Sequence, residues 1–410
     1  MTARLAAAVV GLSWAGIAQT SPWSYRGFLE NRTFYYPRAT ETDSAHWVNE
    51  TLLRFEGSVR LRDGFSVAAG VDAQTDSNNQ VDRAWHFSWE DRSLRRPPLA
   101  LRTFQLRYAH GPFRIEAGKQ VLHWGVMDFS SPTDKLAPRE YLNPSSADFL
   151  AAFAVRAVAD TGPHSLEVVY LPRFTPSRIP LERRRWLILP DEFASYEYHS
   201  TGVSYPGGPQ FGARYHRIAS PYEYSFCFFE GFKNLPTLLY DKDEVHKQLT
   251  YQMLYPKMRM VGADFTWPWR NLLWKTESTY VIAASPYLSS TWTYALQAEK
   301  VRDKWQLVLG FSGDLRTTER RFTTWDLDRA ARQSVSGHVA WNPSPKHTLT
   351  GEWFLHPNAK AFVTRILYSR NFRAGFRASA GWIWIGGSDS DPLARYRVDS
   401  YLTLQFRYSF

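Results

Sequence analysis

The sequence is short of several features that would each point to a different class of protein. It has a single cysteine, Cys227, so it cannot form an intramolecular disulfide or supply a c-type haem site or a cysteine-based zinc site. No run of about 18 apolar residues occurs after the N-terminal segment, which excludes a membrane-spanning helix there. The formal net charge is +10, yet no block of about five like charges occurs, which argues against a nucleic-acid partner.

The N-terminal segment has the composition of a secretory signal peptide. Arg4 precedes an apolar stretch, and the small residues Gly16 and Ala18 fit a cleavage site after Ala18. The apolar stretch is too short to anchor the chain in a membrane. We therefore predict that residues 1–18 are removed on export and that residues 19–410 form one domain. A buried N-terminal helix is the alternative.

The last ten residues, YLTLQFRYSF, alternate strictly between two faces. The apolar face carries Leu402, Leu404, Phe406, Tyr408 and Phe410, and the polar face carries Thr403, Gln405 and Arg407. This period predicts a β-strand with one apolar face. A final strand that ends in an aromatic residue resembles the C-terminal signal that bacterial barrel-assembly machinery recognises in outer-membrane proteins. We predict that the five apolar residues face lipid and form this signal.

The same alternation recurs along most of the chain, with short turns and long polar segments in between. It predicts strands at residues 24–35, 49–62, 64–75, 99–110, 112–119, 150–159, 164–172, 209–218, 222–231, 248–266, 272–284, 291–301, 304–315, 332–342, 346–356, 361–370, 373–385 and 397–410. We predict an all-β fold, a transmembrane antiparallel β-barrel of about 18 strands (16–18) with short periplasmic turns and long extracellular loops. A soluble sandwich or propeller also alternates and is the alternative.

Aromatic residues favour the barrel over the sandwich. They make up 16% of the chain. Many lie near predicted strand ends: Tyr35, Tyr36, Trp267, Trp269, Trp305, Trp341, Trp382, Trp384 and Tyr408. Aromatic girdles are expected at both membrane interfaces of an outer-membrane barrel. The predicted location is therefore the bacterial outer membrane, with its lipid and lipopolysaccharide as partners.

Five segments carry a likeness to a known family. They are GKQVLHWG (Gly118–Gly125), SPTD (Ser131–Asp134), VVYLPRFTPSRIPL (Val168–Leu181), FEGFKNLP (Phe229–Pro236) and YPKMRMVGADF (Tyr255–Phe265). These segments resemble uncharacterised, porin-like outer-membrane proteins of Gram-negative bacteria, although the family often has Asn-Pro where Ser131-Pro132 stands here. The resemblance runs from about residue 113 to the end. It implies a barrel and a transport-like role, and it names no solute.

The sequence lacks a catalytic constellation. It contains no Gly-x-Ser-x-Gly elbow, and its 11 histidines are scattered without metal-ligand spacing. A lipid-acting barrel enzyme would need its His and Ser on the lipid-facing side. Alternation places His338, Ser334 and Ser336 on the inward side instead. We predict that the protein is not an enzyme and uses no cofactor or metal.

Charged residues of the strands fall consistently on the predicted inward face. The predicted pore-lining residues are Arg54, Glu56, Arg60, Arg107, Arg114, Glu116, Arg156, Arg214, Glu277, Glu299, Glu352, Arg365, Arg373, Arg377 and Arg407. A basic side chain on the lipid face costs about 2–4 kcal/mol at the midplane, so this parity itself favours a barrel. The excess of basic residues favours a charged, selective pore. A lumen filled with mutually neutralising ion pairs is the alternative.

The loop 119–149 is the candidate constriction. Its candidate residues are Lys119, Gln120, His123, Trp124, Asp128 and Asp134. Loops longer than about 12–15 residues are usually functional or disordered, and the aromatic content of this one argues against disorder. We predict that it folds into the pore. Packing on neighbouring outer loops is the alternative.

The loop 172–208 is predicted to be a long extracellular loop. It carries an arginine cluster: Arg173, Arg178, Arg183, Arg184 and Arg185. This cluster predicts either a cationic vestibule above the pore or a site for lipopolysaccharide phosphates.

These features together predict an outer-membrane, porin-like channel for passive passage of a small polar or anionic solute. The alternatives are a barrel that holds a partner protein or is plugged, and a lipid-acting barrel enzyme. The sequence leaves the solute and the oligomeric state open.

Overall fold

The structure is a computed structural model that describes residues 22–410 except 41, 145–146, 183, 188–195, 321, 323, 327–332, 359, 389–390 and 392. The predicted signal peptide lies outside the described residues. The first strands are β1 (Trp23–Tyr35), β2 (Trp47–Arg60), β3 (Phe65–Asp76), β4 (Phe87–Ser88), β5 (Leu99–His110), β6 (Phe113–Gln120), β7 (Arg139–Glu140), β8 (Asp148–Phe149), β9 (Ala152–Thr161), β10 (His164–Leu171), β11 (Glu197–Ser204), β12 (Gln210–Ala219) and β13 (Tyr222–Phe232). The others are β14 (Thr237–Asp243), β15 (Gln248–Leu254), β16 (Lys257–Trp269), β17 (Leu272–Ala283), β18 (Thr291–Arg302), β19 (Trp305–Arg316), β20 (Thr324–Asp326), β21 (Ser334–Ser344), β22 (His347–His356), β23 (Ala361–Asn371), β24 (Phe376–Gly386) and β25 (Tyr401–Ser409). Among the described residues, no helix is long and apolar enough to cross a membrane.

Eighteen of these strands form one closed antiparallel barrel, as the sequence predicts. The remaining strands, β4, β7, β8, β11, β14, β15 and β20, lie in the loops. Consecutive barrel strands pair with each other, and β25 closes the ring by pairing with β1 from Phe28↔Ser409 to Tyr35↔Leu402. Closure leaves no unpaired strand edge, which is the condition for a sheet in lipid.

The seam between the first and last strands continues to the final residue. The backbone N–H of Phe410 donates to the carbonyl of Gly27 at 3.0 Å, and the N–H of Gly27 donates to the carbonyl of Phe410 at 2.9 Å. The Phe410 ring lies directly over Gly27, where an added Cβ would be 2.6 Å from it. Glycine is therefore required opposite the terminal aromatic ring.

Alternate residues of the barrel strands face outward, and these are mostly apolar. In β25, Leu404 and Phe406 are 48% and 51% exposed, whereas inward Tyr401 is 3% exposed. This confirms the predicted pleat of the last strand. One predicted girdle residue is wrong: Tyr36 is 3% exposed and packs 5.3 Å from the ring of Tyr401, because β1 ends at Tyr35 and the chain turns inward.

The two ends of the barrel differ in loop length, as predicted. Short connections lie at 61–64, 111–112, 162–163, 220–221, 270–271, 303–304, 345–346 and 372–375, and longer ones at 36–46, 77–98, 121–151, 172–209, 233–256, 284–290, 317–333, 357–360 and 387–400. The first short turn contains Asp63 at φ 58° and Gly64 at φ 81°. An added Cβ at Gly64 would lie 2.2 Å from the Ala109 carbonyl oxygen, so this turn needs glycine.

The structure corrects one predicted strand. Residues 248–266 are not continuous: β15 ends at Leu254, and β16 starts at Lys257. Pro256 lies between them, and it lacks the N–H needed to continue a ladder. β15 instead joins β11, β14 and β20 in a small sheet within the loops.

Candidate functional site

The described residues of the loop between β6 and β9, 121–144 and 147–151, fold into the barrel and lie against its inner wall. Trp124 and Leu136 are buried and pack with inward side chains of β9, β10, β13 and β16. The indole N–H of Trp124 donates to Glu167 at 2.9 Å. Gly212 on β12 leaves room for the indole, since an added Cβ would lie 2.7 Å from it. The apolar side of this inner loop is therefore fixed to one wall.

The tip of the inner loop is held by a single carboxylate, that of Glu277 on β17. Glu277 is 0% exposed. It accepts the backbone N–H groups of Val126 at 2.5 Å, Met127 at 2.8 Å and Thr133 at 3.1 Å. It also accepts the hydroxyl groups of Ser131 and Thr133, both at 2.8 Å. Glu277 thus satisfies backbone groups that strand pairing cannot reach.

A second contact continues this attachment onto β18. The backbone N–H of Asp128 donates to Gln297 at 3.0 Å, and the Gln297 amide donates back to the Asp128 carboxylate. Lys275 lies 3.5 Å from Asp128 and 3.2 Å from Glu299. Glu299, predicted as pore-lining, is therefore neutralised beside the inner loop.

The returning half of the inner loop carries a buried acid with two partners. Asp134 is paired with His123 at 3.1 Å and with Arg139 at 2.9 Å. Burial works to raise the pKa of Asp134, but the bonds from His123 and Arg139 outweigh it and hold that pKa below its ordinary value. Asp134 is therefore ionised at neutral pH and fixes the turn of the loop. The role of this loop as the constriction stays a prediction.

Next to the inner loop, three loops meet in a network of charges. Glu140 accepts from Arg96 at 2.5 Å and from Arg178 at 2.9 Å. Arg96 also contacts Glu50 on β2 at 3.1 Å. Glu140 and Arg178 also pair through their backbones in an isolated parallel β-bridge. Arg96 and Arg178 hold the pKa of Glu140 below its ordinary value, although burial works to raise it.

Two residues predicted for the constriction belong to the wall. Lys119 is 0% exposed, and its ammonium contacts the Asp91 carboxylate at 2.7 Å and the Leu101 carbonyl at 2.5 Å. Asp91 also accepts from Arg178 at 2.7 Å. Gln120 is the last residue of β6 and donates to the Ala154 carbonyl at 3.1 Å.

Between this network and the barrel wall lies a charged cavity. Its wall side is formed by Arg32 on β1, Arg54 on β2 and Arg102 on β5, and its loop side by Asp148 on β8. The negative charge of Asp148 acts on all three guanidinium groups. The same wall also carries the acids Glu30, Glu50 and Asp72, so arginines and carboxylates are mixed around a narrow space.

The three arginines differ in how firmly acids hold them. Arg54 makes two hydrogen bonds to Asp72, at 2.7 and 2.9 Å. Arg32 contacts Glu30 at 2.5 Å. Arg102 lies 3.8 Å from Asp72, which Arg54 already occupies. Arg102 therefore keeps the most bonding capacity for a passing anion.

The other predicted pore-lining residues form ion pairs along the inward face. The pairs are Arg26–Glu56, Arg107–Glu116, Arg114–Glu116, Arg156–Glu116, Arg156–Glu167, Arg214–Asp264, Arg365–Glu352 and Arg407–Glu30. Arg60 is the exposed last residue of β2, and Arg377 is the cross-strand neighbour of Arg407. The pore-lining role of this set stays a prediction, and only Arg54 of the set lines the charged cavity.

One predicted pore-lining residue is misplaced. Arg373 lies in the turn 372–375, because β24 starts at Phe376, and it does not share a strand with Arg377. Gly375 has φ 78°, and an added Cβ there would lie 2.2 Å from the Ser409 carbonyl oxygen. The turn is thus longer than the sequence pattern indicated.

Sequence reasoning missed three residues of the cavity. Arg32 lies on the same inward face of β1 as Phe28 and Glu30, so the alternation of the sequence could have identified it. Arg102 sits at a register shift in the β3–β5 pairing, where simple alternation fails. Asp148 belongs to a loop strand whose position depends on tertiary contacts, so no local signal marks it.

The long loop after β10 crosses the extracellular mouth. β10 is the seventh barrel strand, yet Arg185 contacts the loops that follow β1 and precede β25. Its guanidinium bonds Asp399 at 3.2 Å and the Ala45 carbonyl at 2.9 Å, and it stacks 4.2 Å from the Tyr36 ring. Of the predicted cationic vestibule, Arg178 and Arg185 are thus buried and paired, and Arg183 lies outside the described residues.

Comparisons with known proteins support the architecture. No protein-family model matches the chain, and no curated protein matches it. Among solved structures it is similar to Acinetobacter baumannii OccAB4, with 9% identity and a TM-score of 0.57 over 96% of this chain and 99% of that one. It is also similar to Pseudomonas aeruginosa OccK3 (OpdO), with 9% identity and a TM-score of 0.54 over 94% and 96% of the two chains. It is similar as well to Pseudomonas aeruginosa OpdQ, with 11% identity and a TM-score of 0.51 over 95% of this chain and 96% of that one.

At these identities the likeness shows the fold. The barrel is closed, its strand number is even, its long loops gather at one end, and its outward face is apolar with exposed aromatic residues at both rims. These are the properties of a single-chain barrel in the bacterial outer membrane. The protein is an outer-membrane β-barrel.

Proposed function

We propose that this barrel is a passive channel for small polar solutes and that it favours anions. The observation that supports this is the charged cavity, where Arg32, Arg54 and Arg102 face Asp148 inside the lumen. In a narrow space with low-dielectric walls, such a mixed field orients a dipolar solute, and Arg102, whose nearest acid is already held by Arg54, attracts an anion. Diffusion down a gradient supplies the driving force, so the function needs neither a catalytic step nor a cofactor.

Arg102 is the best single residue with which to test this. The Arg102→Gln variant removes one positive charge from the cavity and leaves the Arg54–Asp72 pair in place. Arg60→Gln is the matched control, since Arg60 is also an inward arginine but lies at the end of β2, outside the cavity. In a planar bilayer under a salt gradient, we expect weak anion selectivity in the parent, a shift towards cations in Arg102→Gln and no comparable shift in Arg60→Gln.

The salt dependence adds an independent check. The Debye length falls from about 10 Å at 0.1 M to about 3 Å at 1 M, so the anion preference of the parent should weaken over that range. A cation-selective parent would contradict the proposal. Equal shifts in the two variants would remove Arg102 and the cavity from it.

A second candidate function is a plugged barrel that holds a partner protein. It is favoured by the network in which three cations, Arg96, Arg178 and Lys119, are paired with three acids, Glu50, Glu140 and Asp91. Absence of measurable conductance from a folded barrel would support this candidate. Purification with a bound partner would then identify the cargo.

The proposed partners follow from the surface of the barrel. The outward residues Leu402, Leu404, Phe406, Tyr408 and Phe410 are proposed as the signal for the barrel-assembly machinery, and the outer leaflet supplies contact with lipopolysaccharide. Deletion of Phe410 should leave export intact and impair insertion, since the deletion also removes two backbone bonds to Gly27. Normal levels of heat-modifiable protein in the outer membrane would contradict the assembly signal.

A further inference from the structure

The outward face of β16 carries two basic residues where a lipid-facing strand is expected to be apolar. Lys257 and Arg259 alternate with Met258 and Met260, which are 3% and 0% exposed and face the interior. The side chains of Lys257 and Arg259 are 46% and 54% exposed. Both therefore point outward, towards the bilayer.

Their position in the strand places them at the extracellular rim. Lys257 is the first residue of β16, which follows the long loop 233–256. A basic residue on the lipid face is strongly destabilising at the midplane and much less so near an interface. The two charges thus lie at the headgroup level of the outer leaflet, where they are tolerated.

Glu230 fixes the two basic groups but does not neutralise them. It lies on the adjacent strand β13, opposite Arg259, and contacts Lys257 at 2.7 Å and Arg259 at 3.0 Å. One carboxylate against two cations leaves a net positive charge. An ammonium has three N–H donors and a guanidinium five, so most donors of the half-exposed pair are left over. Such donors suit a phosphate group.

An apolar groove lies below this cation pair on the same outward face. It is lined by Phe226, Ala263, Phe265, Thr276 and Ser278, among others. Ala263 pairs with both Phe226 and Ser278 across the sheet, so small side chains form its floor between aromatic rings. The Ser278 hydroxyl is bonded to the indole N–H of Trp292 at 2.8 Å, which satisfies it away from water.

The groove lies below the cation pair within the depth of one leaflet, which is about half of the roughly 30 Å hydrocarbon core. Ala263 is four residues from Arg259 on one strand, which is about 13 Å along a strand at about 3.3 Å per residue. We propose that Lys257, Arg259 and this groove form a binding site for a phosphorylated, acylated lipid of the outer leaflet. The phosphate lies between the two cations, and an acyl chain lies over Ala263. This inference is independent of conduction through the lumen.

The chain offers a matched control for the test. Lys300 and Arg302 repeat the Lys-x-Arg spacing on the outward face of β18, but at the short-turn end of the barrel. The variants are Lys257→Gln with Arg259→Gln, Lys300→Gln with Arg302→Gln, and Ala263→Leu, which fills the groove without a charge change. Each is purified as a folded, heat-modifiable barrel and titrated by native mass spectrometry.

Three probes separate the possible ligands: a diphosphorylated, acylated glucosamine disaccharide, its dephosphorylated form and its deacylated form. We expect the parent to retain the first probe preferentially. The loss of two charge-assisted contacts should weaken this binding about tenfold or more in the Lys257/Arg259 variant, with no change in the Lys300/Arg302 variant. Ala263→Leu should weaken binding of the acylated probe and not of the deacylated one.

Equal loss of binding in the two charge variants would overturn the proposal, because any pair of cations at a rim of the barrel would then bind the probe equally well. Equal retention of the dephosphorylated probe would show apolar adsorption only, and equal retention of the deacylated probe would show a free anion site without the groove.

Discussion

Two loops are each held by a buried carboxylate, one on a barrel strand and the other in a neighbouring loop, and the two attachments are built differently. The inner loop is held inside the lumen by Glu277, and the long loop is held at the extracellular rim by Asp399. Both acids are essentially inaccessible, at 0% and 1% exposure. They differ in what faces them.

Glu277 is surrounded by several neutral donors. Three backbone N–H groups and two hydroxyl groups of the inner loop converge on it. If the loop moved away, the buried Glu277 carboxylate would lose all of these donors at once, and an unsatisfied buried group costs about 1–3 kcal/mol. The attachment is therefore cooperative and has no single weak contact.

Asp399 depends on one cation. Arg185 is its ion-pair partner, and burial raises the pKa of Asp399 to about 6, since Arg185 opposes the effect of burial only in part. The neighbouring Trp186 has φ 77°, an unfavourable value for a residue with a side chain, and is held by packing on Tyr396 and Tyr401. The outer attachment is thus a single pair with a titratable member.

The difference shows that this barrel combines an inner loop whose attachment does not depend on one contact with an outer loop whose attachment depends on pH. A carboxylate that accepts hydrogen bonds from several neutral donors stays stabilised when any one donor is lost. An anion that relies on one cation in a dry site responds to pH, because its charged form is poorly stabilised there.

Replacing Glu277 should produce the largest change. Glu277→Ala leaves the donors of Val126, Met127, Ser131 and Thr133 without an acceptor. We expect the inner loop to lose about 3 kcal/mol or more, equivalent to about hundredfold faster hydrogen exchange. Native-state exchange of amides 126–133, measured by mass spectrometry, checks this.

Glu352→Gln is the control for that experiment. Glu352 is an inward acid of β22 that pairs with His338 and Arg365 and does not touch the inner loop. Unchanged exchange at 126–133 in Glu277→Ala, or an equal increase in Glu352→Gln, would contradict the proposed attachment.

The barrel could be predicted because its sequence pattern is local. The two attachments could not be predicted, since they depend on tertiary contacts. Alternation such as that of Leu402 to Tyr408 is imposed residue by residue by the lipid on one side, so one sequence suffices to read it. The same rule gave the correct inward parity for Arg54, Glu277 and Arg407.

The charged cavity depends on contacts that no local pattern encodes. The inward position of Arg102 could not be predicted because of a register shift, and that of Asp148 because it lies in a two-residue strand of the inner loop. Sequence reasoning predicted that Glu277 points inward but not that it binds Val126, about 150 positions away in the chain. Parity gives the face of a residue and not its partner.

Acidification should slow any opening of the outer attachment that exposes Asp399 to water, because burial favours the protonated form of Asp399. A group whose pKa is raised by folding contributes stability that is complete below its ordinary pKa and is lost as the pH rises through the raised value. For Asp399, with a pKa of about 6 against an ordinary 3.8, the gain between pH 7.5 and pH 5 is about 1.4 kcal/mol, or tenfold. Hydrogen exchange of residues 184–187, corrected for intrinsic rates, should slow accordingly.

His356, the last residue of β22, pairs at 3.1 Å with Asp391 of the loop that carries Asp399, so the experiment needs a variant in which this pair is intact. The experiment therefore includes Asp399→Asn, which keeps His356 and removes the buried acid. The variant should lose the pH dependence of 184–187. A parent that opens on acidification, or a variant with an unchanged pH profile, would contradict the assignment to Asp399.

The smallest change is expected from Arg185→Lys, which keeps the charge and removes the planar group. The guanidinium bonds Asp399 and the Ala45 carbonyl at once and stacks on Tyr36, and an ammonium cannot reproduce all three contacts. We expect faster exchange at 184–187 by about fivefold, equivalent to about 1 kcal/mol for a weakened stack and a lost hydrogen bond. Arg184→Lys is the control, since the Arg184 guanidinium contacts Asn78 at 3.3 Å and does not bind Asp399 among the described residues. Equal effects of the two substitutions would show that the attachment uses charge alone, and its sensitivity to pH would then not depend on the geometry of Arg185.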